Sequence, residues 1–268
     1  MGHRSVSQFT TYVQCGEQYR LERVAKAPQT PAAWFVQGTA VHAAIEAYEL
    51  SYRALTADEA LKVFEEKYEE GIAALMETEP DPDRWLTGNV KTKGSVDIAR
   101  REGVGREQVR DYIAAMPGSP FTVWEVMPDY LAVELPFELQ LGEVLVKGFI
   151  DQVLEDAEGR LLVRDLKTGT KLPSTPLQLG VYALAVEDAY GVRPTHGDFY
   201  MFKNGGPTTA YDLAEFTRER VTRWFYDMDR AESAGVYLAS PGDSCRVCSV
   251  YQWCDAVGPR RAQYQPGR

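Results

Sequence analysis

Two carboxylates and a lysine stand on what read as adjacent β-strands: Gly148-Phe149-Ile150-Asp151 is followed closely by Asp165-Leu166-Lys167. Alternate side chains of a strand share a face and each residue advances about 3.3 Å, so Asp165 and Lys167 point the same way about 7 Å apart. A hairpin pairing of the two strands brings Asp151 beside Asp165. Hard oxygen ligands of this kind suit Mg²⁺ or Mn²⁺. Such an ion lowers the pKa of a bound water, neutralises charge on phosphoryl oxygens and orients in-line attack, while Lys167 positions the water or stabilises the added charge. That is the chemistry of phosphodiester hydrolysis. Alone, an Asp-x-Lys triplet is more often a surface ion pair.

Further residues gather around this pair. Gln178 and Tyr182 are i,i+4 neighbours on the helix expected directly after the second strand, which gives an amide and a hydroxyl on one face. His42 and Glu46 share a face of an earlier helix in the same way. A histidine on an apolar helix face is by itself more often a packed core residue than a ligand. Four cysteines complete the set: Cys15 near the start, and Cys245, Cys248 and Cys254 at C-x2-C-x5-C spacing near the end. Thiolates across a tight turn reach one metal or cluster, and a distant fourth ligand is no obstacle because loop-closure entropy grows only slowly with length. From spacing alone a structural zinc ion and an iron–sulfur cluster compete evenly.

These groups must be positioned by a chain of 268 residues, 44% hydrophobic, long enough for one large domain or two small ones. A helix is expected over Ser5–Tyr19 with Cys15 near its end, then helices over Phe35–Leu55, from Thr56 or Asp58 to Met76, and from Ser95 to Met116. Strands are expected over Leu131–Gln140, Glu143–Glu155 and Leu161–Lys167, the last two joined at Asp156-Ala157-Glu158-Gly159 as antiparallel neighbours. A helix over Thr175–Tyr190, a strand pair His196–Lys203 and Thr208–Leu213, and a helix over Leu213–Ala234 follow. One domain over residues 1–268 results, with a helical region at 35–118, a core at 123–234 and metal-cluster ligands at 15 and 245–254. No repeat or low-complexity segment interrupts it.

The formal charge of −10 excludes a protein that coats nucleic acid by bulk electrostatics, so any DNA contact is local. The densest basic group is Lys91, Lys93, Arg100, Arg101, Arg106 and Arg110, for which a solvated mixed-charge helix face is at least as good a reading as a nucleic-acid track. There is no apolar run that spans a membrane and no signal-peptide core, which points to the cytoplasm, where cysteines serve as ligands or core residues rather than disulfides.

Taken in order, Gly38-Thr39-Ala40-Val41-His42, Gly148-Phe149-Ile150-Asp151, Asp165-Leu166-Lys167-Thr168-Gly169 and Gln178-Leu179-Gly180-Val181-Tyr182 resemble the RecB-like branch of the PD-(D/E)XK nuclease superfamily. The Ser5-x-Ser7-x-Phe9 start leading to Cys15, with the late cysteine triplet, is similar to its iron–sulfur exonucleases, including CRISPR-associated and AddB-type members. The resemblance implies an α/β fold, a restriction-endonuclease-like central mixed β-sheet flanked by helices, with a helical insertion and a C-terminal iron–sulfur loop. It implies His42, Asp151, Asp165 and the Leu166 carbonyl as ligands to Mg²⁺ or Mn²⁺, Lys167 as the catalytic lysine, and Gln178 and Tyr182 as supports of the site that contact DNA. Glu46 stands as a further supporting group. The likeness also favours a four-iron four-sulfur cluster on the four cysteines, structural in role; Tyr251 and Trp253 in the same loop either shield it or serve only as packing. The expected activity is DNA exonuclease, 5′-to-3′ on single-stranded ends, in recombination, repair, phage DNA metabolism or CRISPR adaptation, alongside proteins of those processes or as an oligomer. A noncatalytic DNA-end-binding subunit is the alternative, disfavoured because Asp151, Asp165 and Lys167 are all present. A zinc-stabilised interaction domain leaves the His, Asp, Asp-x-Lys and Gln-x-x-x-Tyr set unexplained.

Overall fold

The computed structural model describes residues 3–89 and 91–259. Helix α1 (Val6–Gln14) starts at a capping box in which Gln8 N donates to Ser5 Oγ and Ser5 N to Gln8 Oε1, both at 3.1 Å. The single helix expected to Tyr19 is broken at Cys15, whose backbone is extended, and resumes as α2 (Gly16–Tyr19) and a π-helical turn, Arg20–Val24. Close approach explains the break: a Cβ on Gly16 would sit 2.7 Å from Leu238 N, so the far end of the chain lies directly against it.

Helices α3 (Ala33–Leu50), α4 (Ala57–Thr78) and α5 (Gly94–Ala115) form the helical region. Helix α3 stops short of the expected Leu55 because Tyr52 and Arg53 adopt left-handed backbone (φ 55° and 62°). Thr56 caps α4 in a capping box with Glu59.

The strands are β1 (Thr122–Val123), β2 (Glu125–Met127), β3 (Tyr130–Leu131), β4 (Val133–Leu141), β5 (Val144–Glu155) and β6 (Leu161–Lys167). Helix α6 (Leu177–Tyr190) leads to β7 (His196–Met201), β8 (Gly206–Pro207) and β9 (Tyr211–Asp212), and helix α7 (Arg218–Ser233) follows. Strand β5 is antiparallel to β1, β4 and β6, while β7 lies parallel to β6 after the crossover through α6. Of the expected pair around Asn204, His196–Lys203 forms as β7, while its antiparallel partner is divided into two short edge pieces, β8 and β9, laid on different ends of β7. The expected helix from Leu213 begins only at Arg218, because Leu213 and Phe216 are buried in the core and Thr217 supplies the cap, accepting from Arg220 N.

Two cores cover opposite faces of the sheet. Val163 and Phe199 pack with residues of α1, α6 and α7; Leu166 and Tyr200 pack with α3, α4 and α5. Successive strand residues point to opposite faces, so these neighbours on β6 and β7 fix which helices lie where. Helix α6 is apolar on nearly every side and is buried from Leu177 through Val186 apart from Gln178. Among the described residues no helix is long and apolar enough to cross a membrane.

A third small core joins the two ends of the chain: Leu21 and Ala27 pack with Val250 and Trp253, and Cys248 and Cys254 lie against them. Thr30 N donates to Ser249 O at 2.8 Å, Trp253 Nε1 to Pro28 O at 2.8 Å, and Ser249 Oγ to Glu22 Oε1 at 2.9 Å.

Candidate active site

Strand pairing brings the acidic groups together. Leu135 faces Ile150 and Val133 faces Gln152, so Glu134 falls opposite Asp151 across the β4–β5 pair. Glu134 takes a left-handed backbone (φ 43°), a strained conformation for a side-chain-bearing residue. Helix α3 completes the group from above: His42 Nδ1 lies 3.4 Å from Glu134 Oε1 and 3.9 Å from Asp151 Oδ2, and His42 Nε2 lies 3.1 Å from Leu166 O. Ligand atoms of His42, Glu134 and Asp151 all stand within 4.8 Å of one another, the spacing of donors around one ion. Asp151 Oδ2 also accepts from Leu166 N at 2.7 Å, which locks β5 to the end of β6.

Beside this group, Asp165 is almost wholly buried, with its Oδ2 2.6 Å from Lys167 Nζ and lacking an aligned hydrogen-bond donor. Lys167 Nζ donates to Gln178 Oε1 at 3.2 Å, and Gln178 Nε2 to Tyr182 Oη at 2.7 Å. The Gln-x-x-x-Tyr pair therefore acts on the lysine through one continuous chain, and Tyr182 is fixed in turn by edge-on packing with Phe137. A Cβ on Gly180 would lie 2.3 Å from the Phe216 ring, so glycine is what lets α6 approach closely enough to deliver Gln178.

The electrostatics are those of crowded anions. Burial, then the Asp165 charge, lifts Asp151 to about 7. Burial raises Asp165 as well, against the opposing pull of the Lys167 ammonium. For His42, burial pushes down, but the Glu134 hydrogen bond and the Asp151, Glu134 and Asp165 charges outweigh it and lift the imidazole to about 9. Glu46 is raised by burial and by Glu134, and lies outside the close group. The donor chemistry of the group, two carboxylates and an imidazole with a further buried carboxylate oxygen short of donors, fits a hard divalent cation.

His42, Asp151, Leu166, Asp165, Lys167, Gln178 and Tyr182 lie together, Glu46 stands outside the close group, and one acidic member of that group has no place in the sequence reading. That member is Glu134. Its only sequence signal is an acidic residue between apolar neighbours at the head of a strand, Ala132-Val133-Glu134-Leu135, and the β4–β5 register that sets it opposite Asp151 is invisible in the residue types. A polar chain also supports the site: Arg101 Nη1 donates to Gln37 Oε1 (3.2 Å), Gln37 Nε2 to Gln108 Oε1 (2.7 Å), and Gln108 Nε2 to Thr168 O (3.0 Å). It ties α3 and α5 to the residue after Lys167. The basic group on α5 reads in the structure as a mixed-charge face: Arg100 and Arg101 pair with Asp97, and Arg106 with Glu65 and Glu102.

Cys15, Cys245, Cys248 and Cys254 line one cavity together with Leu21, Val250 and Tyr251. Ser240 N approaches Cys15 Sγ at 3.5 Å and Gly242 N approaches Cys245 Sγ at 3.4 Å. Among the described residues no three cysteine sulfurs come within 4.8 Å of one another, so the thiols are not gathered at the spacing of ligands on a single small ion.

A mixed sheet flanked by helices, with carboxylates and a lysine converging from β4, β5 and β6, is the arrangement of a metal-dependent nuclease. The sequence matches the PD-(D/E)XK nuclease superfamily over residues 3–255, and the chain belongs to that family. It is similar along nearly its whole length to the Gene 69 protein of Mycobacterium phage D29, 41% identical over 262 residues that cover 94% of this chain and 96% of the relative. The Gene 69 protein of Mycobacterium phage L5 is 37% identical over 279 residues, covering 94% and 95%.

Proposed function

We propose that the protein is a Mg²⁺- or Mn²⁺-dependent DNA exonuclease of the RecB-like branch, acting 5′-to-3′ on single-stranded ends in the cytoplasm. The observation that carries this reading is the convergence of His42, Glu134 and Asp151 within 4.8 Å, beside the Asp165–Lys167 pair. His42, Glu134 and Asp151 would hold the ion, with Asp165 and the Leu166 carbonyl completing its surroundings. A divalent cation bound there supplies charge neutralisation at the phosphoryl oxygens and activates water for attack. Lys167, steered by Gln178 and Tyr182, keeps its ammonium where it orients that water or stabilises the charge added to the phosphate. His42 and Asp151 give up their protons when the ion binds. Likeness to phage proteins along almost the full length favours phage DNA metabolism over repair or CRISPR adaptation as the setting.

The same reading takes the whole chain as one nuclease domain and assigns a structural four-iron four-sulfur cluster to the four cysteines. The shared cavity supports this. Trp253, buried between the chain ends, and Tyr251 at the cavity wall would shield it.

Digestion of strands labelled at either end tests the assignment. Asp165→Ala should abolish hydrolysis with Mg²⁺ or Mn²⁺ while leaving the visible absorption of anaerobically purified protein intact; undiminished digestion defeats the active-site reading, and release from the 3′ label first defeats the polarity. Cys248→Ser should bleach that absorption. Stoichiometric zinc without iron in the wild-type protein would replace the cluster with a zinc site.

A further inference from the structure

We propose that Phe149 and Phe35 form a platform on which bases of single-stranded DNA stack beside the metal group; this rests on the reading above and adds how the strand is held. Ile150 packs in the core on the α6 and α7 side, so its strand neighbour Phe149 projects to the other face, the one that carries α3. There Phe149 is 59% exposed, an unusual placement for so large an apolar ring in the middle of a sheet. It precedes Asp151 by two positions along β5, about 7 Å. Its cross-strand partner, Pro136, follows Glu134 by two positions on β4. On α3, the accessible residues Phe35, Thr39, His42 and Glu46 fall at i, i+4, i+7 and i+11 and share one helix face. Phe35 is 55% exposed and stands about 10 Å up that face from His42. Its ring centroid is 5.6 Å from that of Trp34, over which the Arg101 guanidinium sits at 5.7 Å. Each of the two elements that supply His42 and Asp151 therefore also presents an exposed aromatic ring on the same side of the sheet.

The charge balance says what such rings are for. Grip on a nucleic-acid backbone normally draws on surplus Lys and Arg, but this chain carries a formal charge of −10, and Arg100, Arg101 and Arg106 of α5 are engaged by Asp97, Glu65 and Glu102. Base–aromatic stacking needs no net charge and tolerates any sequence. It is open only to bases free of their own stack, so a platform at the cleavage centre selects single strands over duplex.

The test is fluorescence anisotropy of a labelled oligothymidylate and of a blunt duplex, in EDTA so that nothing is hydrolysed. Phe149→Ala and Phe35→Ala should each weaken oligothymidylate binding about tenfold and leave duplex binding unchanged. Phe149→Trp should restore the affinity, and Tyr226→Ala, on α7 across the sheet, should have no effect. The proposal is overturned if both alanine variants bind the single strand within about twofold of wild type, or lose single-strand and duplex binding alike. It is equally overturned if wild type is a dimer that Phe149→Ala dissolves, since the ring then belongs to a subunit contact. Wild-type protein that binds the oligonucleotide through these rings yet cuts no DNA would defeat the nuclease assignment and leave the platform standing.

Discussion

Glu134→Gln is the substitution that most directly interrogates the site, because it removes one charge from the close group and changes almost nothing in shape. His42 Nδ1 lies 3.4 Å from the Glu134 carboxylate. Coulomb's law gives about 1 kcal/mol for that separation in bulk water and about 5 kcal/mol at an effective dielectric of about 20. The whole rise of the imidazole, from 6.5 to about 9, corresponds to roughly 3.4 kcal/mol and is shared with Asp151 and Asp165 against the cost of burial. Both side chains keep about a quarter of their surface in water, 27% and 28%, so the lower end applies. We predict that in metal-free protein the His42 titration, followed by NMR of its ring protons, moves down by about one pH unit, or about 1.4 kcal/mol. His3 and His196 serve as internal references. In the same variant the Mn²⁺ concentration for half-maximal activity should rise by at least the ~10- to 100-fold that follows loss of a group supporting a metal ligand. An unmoved His42 titration together with an unchanged metal requirement would refute the role given to Glu134.

The remaining predictions concern what surrounds that group. Gln108→Leu strips the buried Gln37 amide of its acceptor and frees Thr168 O; melting should show a loss of about 1–3 kcal/mol, and kcat should fall with KM little changed, whereas unaltered kcat would deny the polar chain any part in positioning Lys167. Gly180→Ala forces a methyl into the Phe216 ring and should cost about 1–3 kcal/mol in denaturant unfolding, so an unchanged midpoint would contradict the packing of α6. Because Asp151 is raised from 3.8 to about 7 and His42 from 6.5 to about 9, the folded metal-free chain holds more protons than the unfolded one. Its stability from these groups should therefore decline as pH rises, first through the Asp151 window and then through the His42 window, and Mn²⁺ binding near neutrality should release roughly one to two protons, measurable by calorimetry in buffers of different ionisation enthalpy. Uptake of protons on binding would reverse that sign.

Much of this arrangement is written locally in the chain. Asp151, Asp165, Lys167, Gln178 and Tyr182 could be placed because strand and helix periodicities dictate which neighbours share a face, and because the Asp156–Gly159 turn forces β5 and β6 together. The misses come where tertiary contacts override local preference. Cys15 breaks a helix that its neighbours would continue, since the backbone at Leu238 presses on Gly16. The piece after Asn204 reads as a strand partner by composition, yet it is divided between two ends of β7. Glu134 is the sharpest case: residue type and alternation make it an ordinary strand carboxylate, and its place opposite Asp151 and under His42 follows from the β4–β5 register and the position of α3, which the residue types do not spell out.

The strained backbone of Glu134 and the acidity of the group bear on one another. Burial and neighbouring charge raise the proton affinity of Asp151, Asp165 and His42, so in the metal-free chain these groups hold protons that the unfolded chain would have lost. A conformation such as that of Glu134 persists when its surroundings over-determine it, and a positive charge among the carboxylates would add to the constraint of the β4–β5 pairing. Protons and the His42 imidazolium would supply that charge in the metal-free chain, and a bound divalent ion would take their place. On the reading proposed above, the same anionic centre would repel a DNA backbone, so contact there would fall to the ion, Lys167 and uncharged surfaces such as exposed aromatic rings. A net negative charge is thus compatible with DNA cleavage, and it selects the means by which the substrate is held.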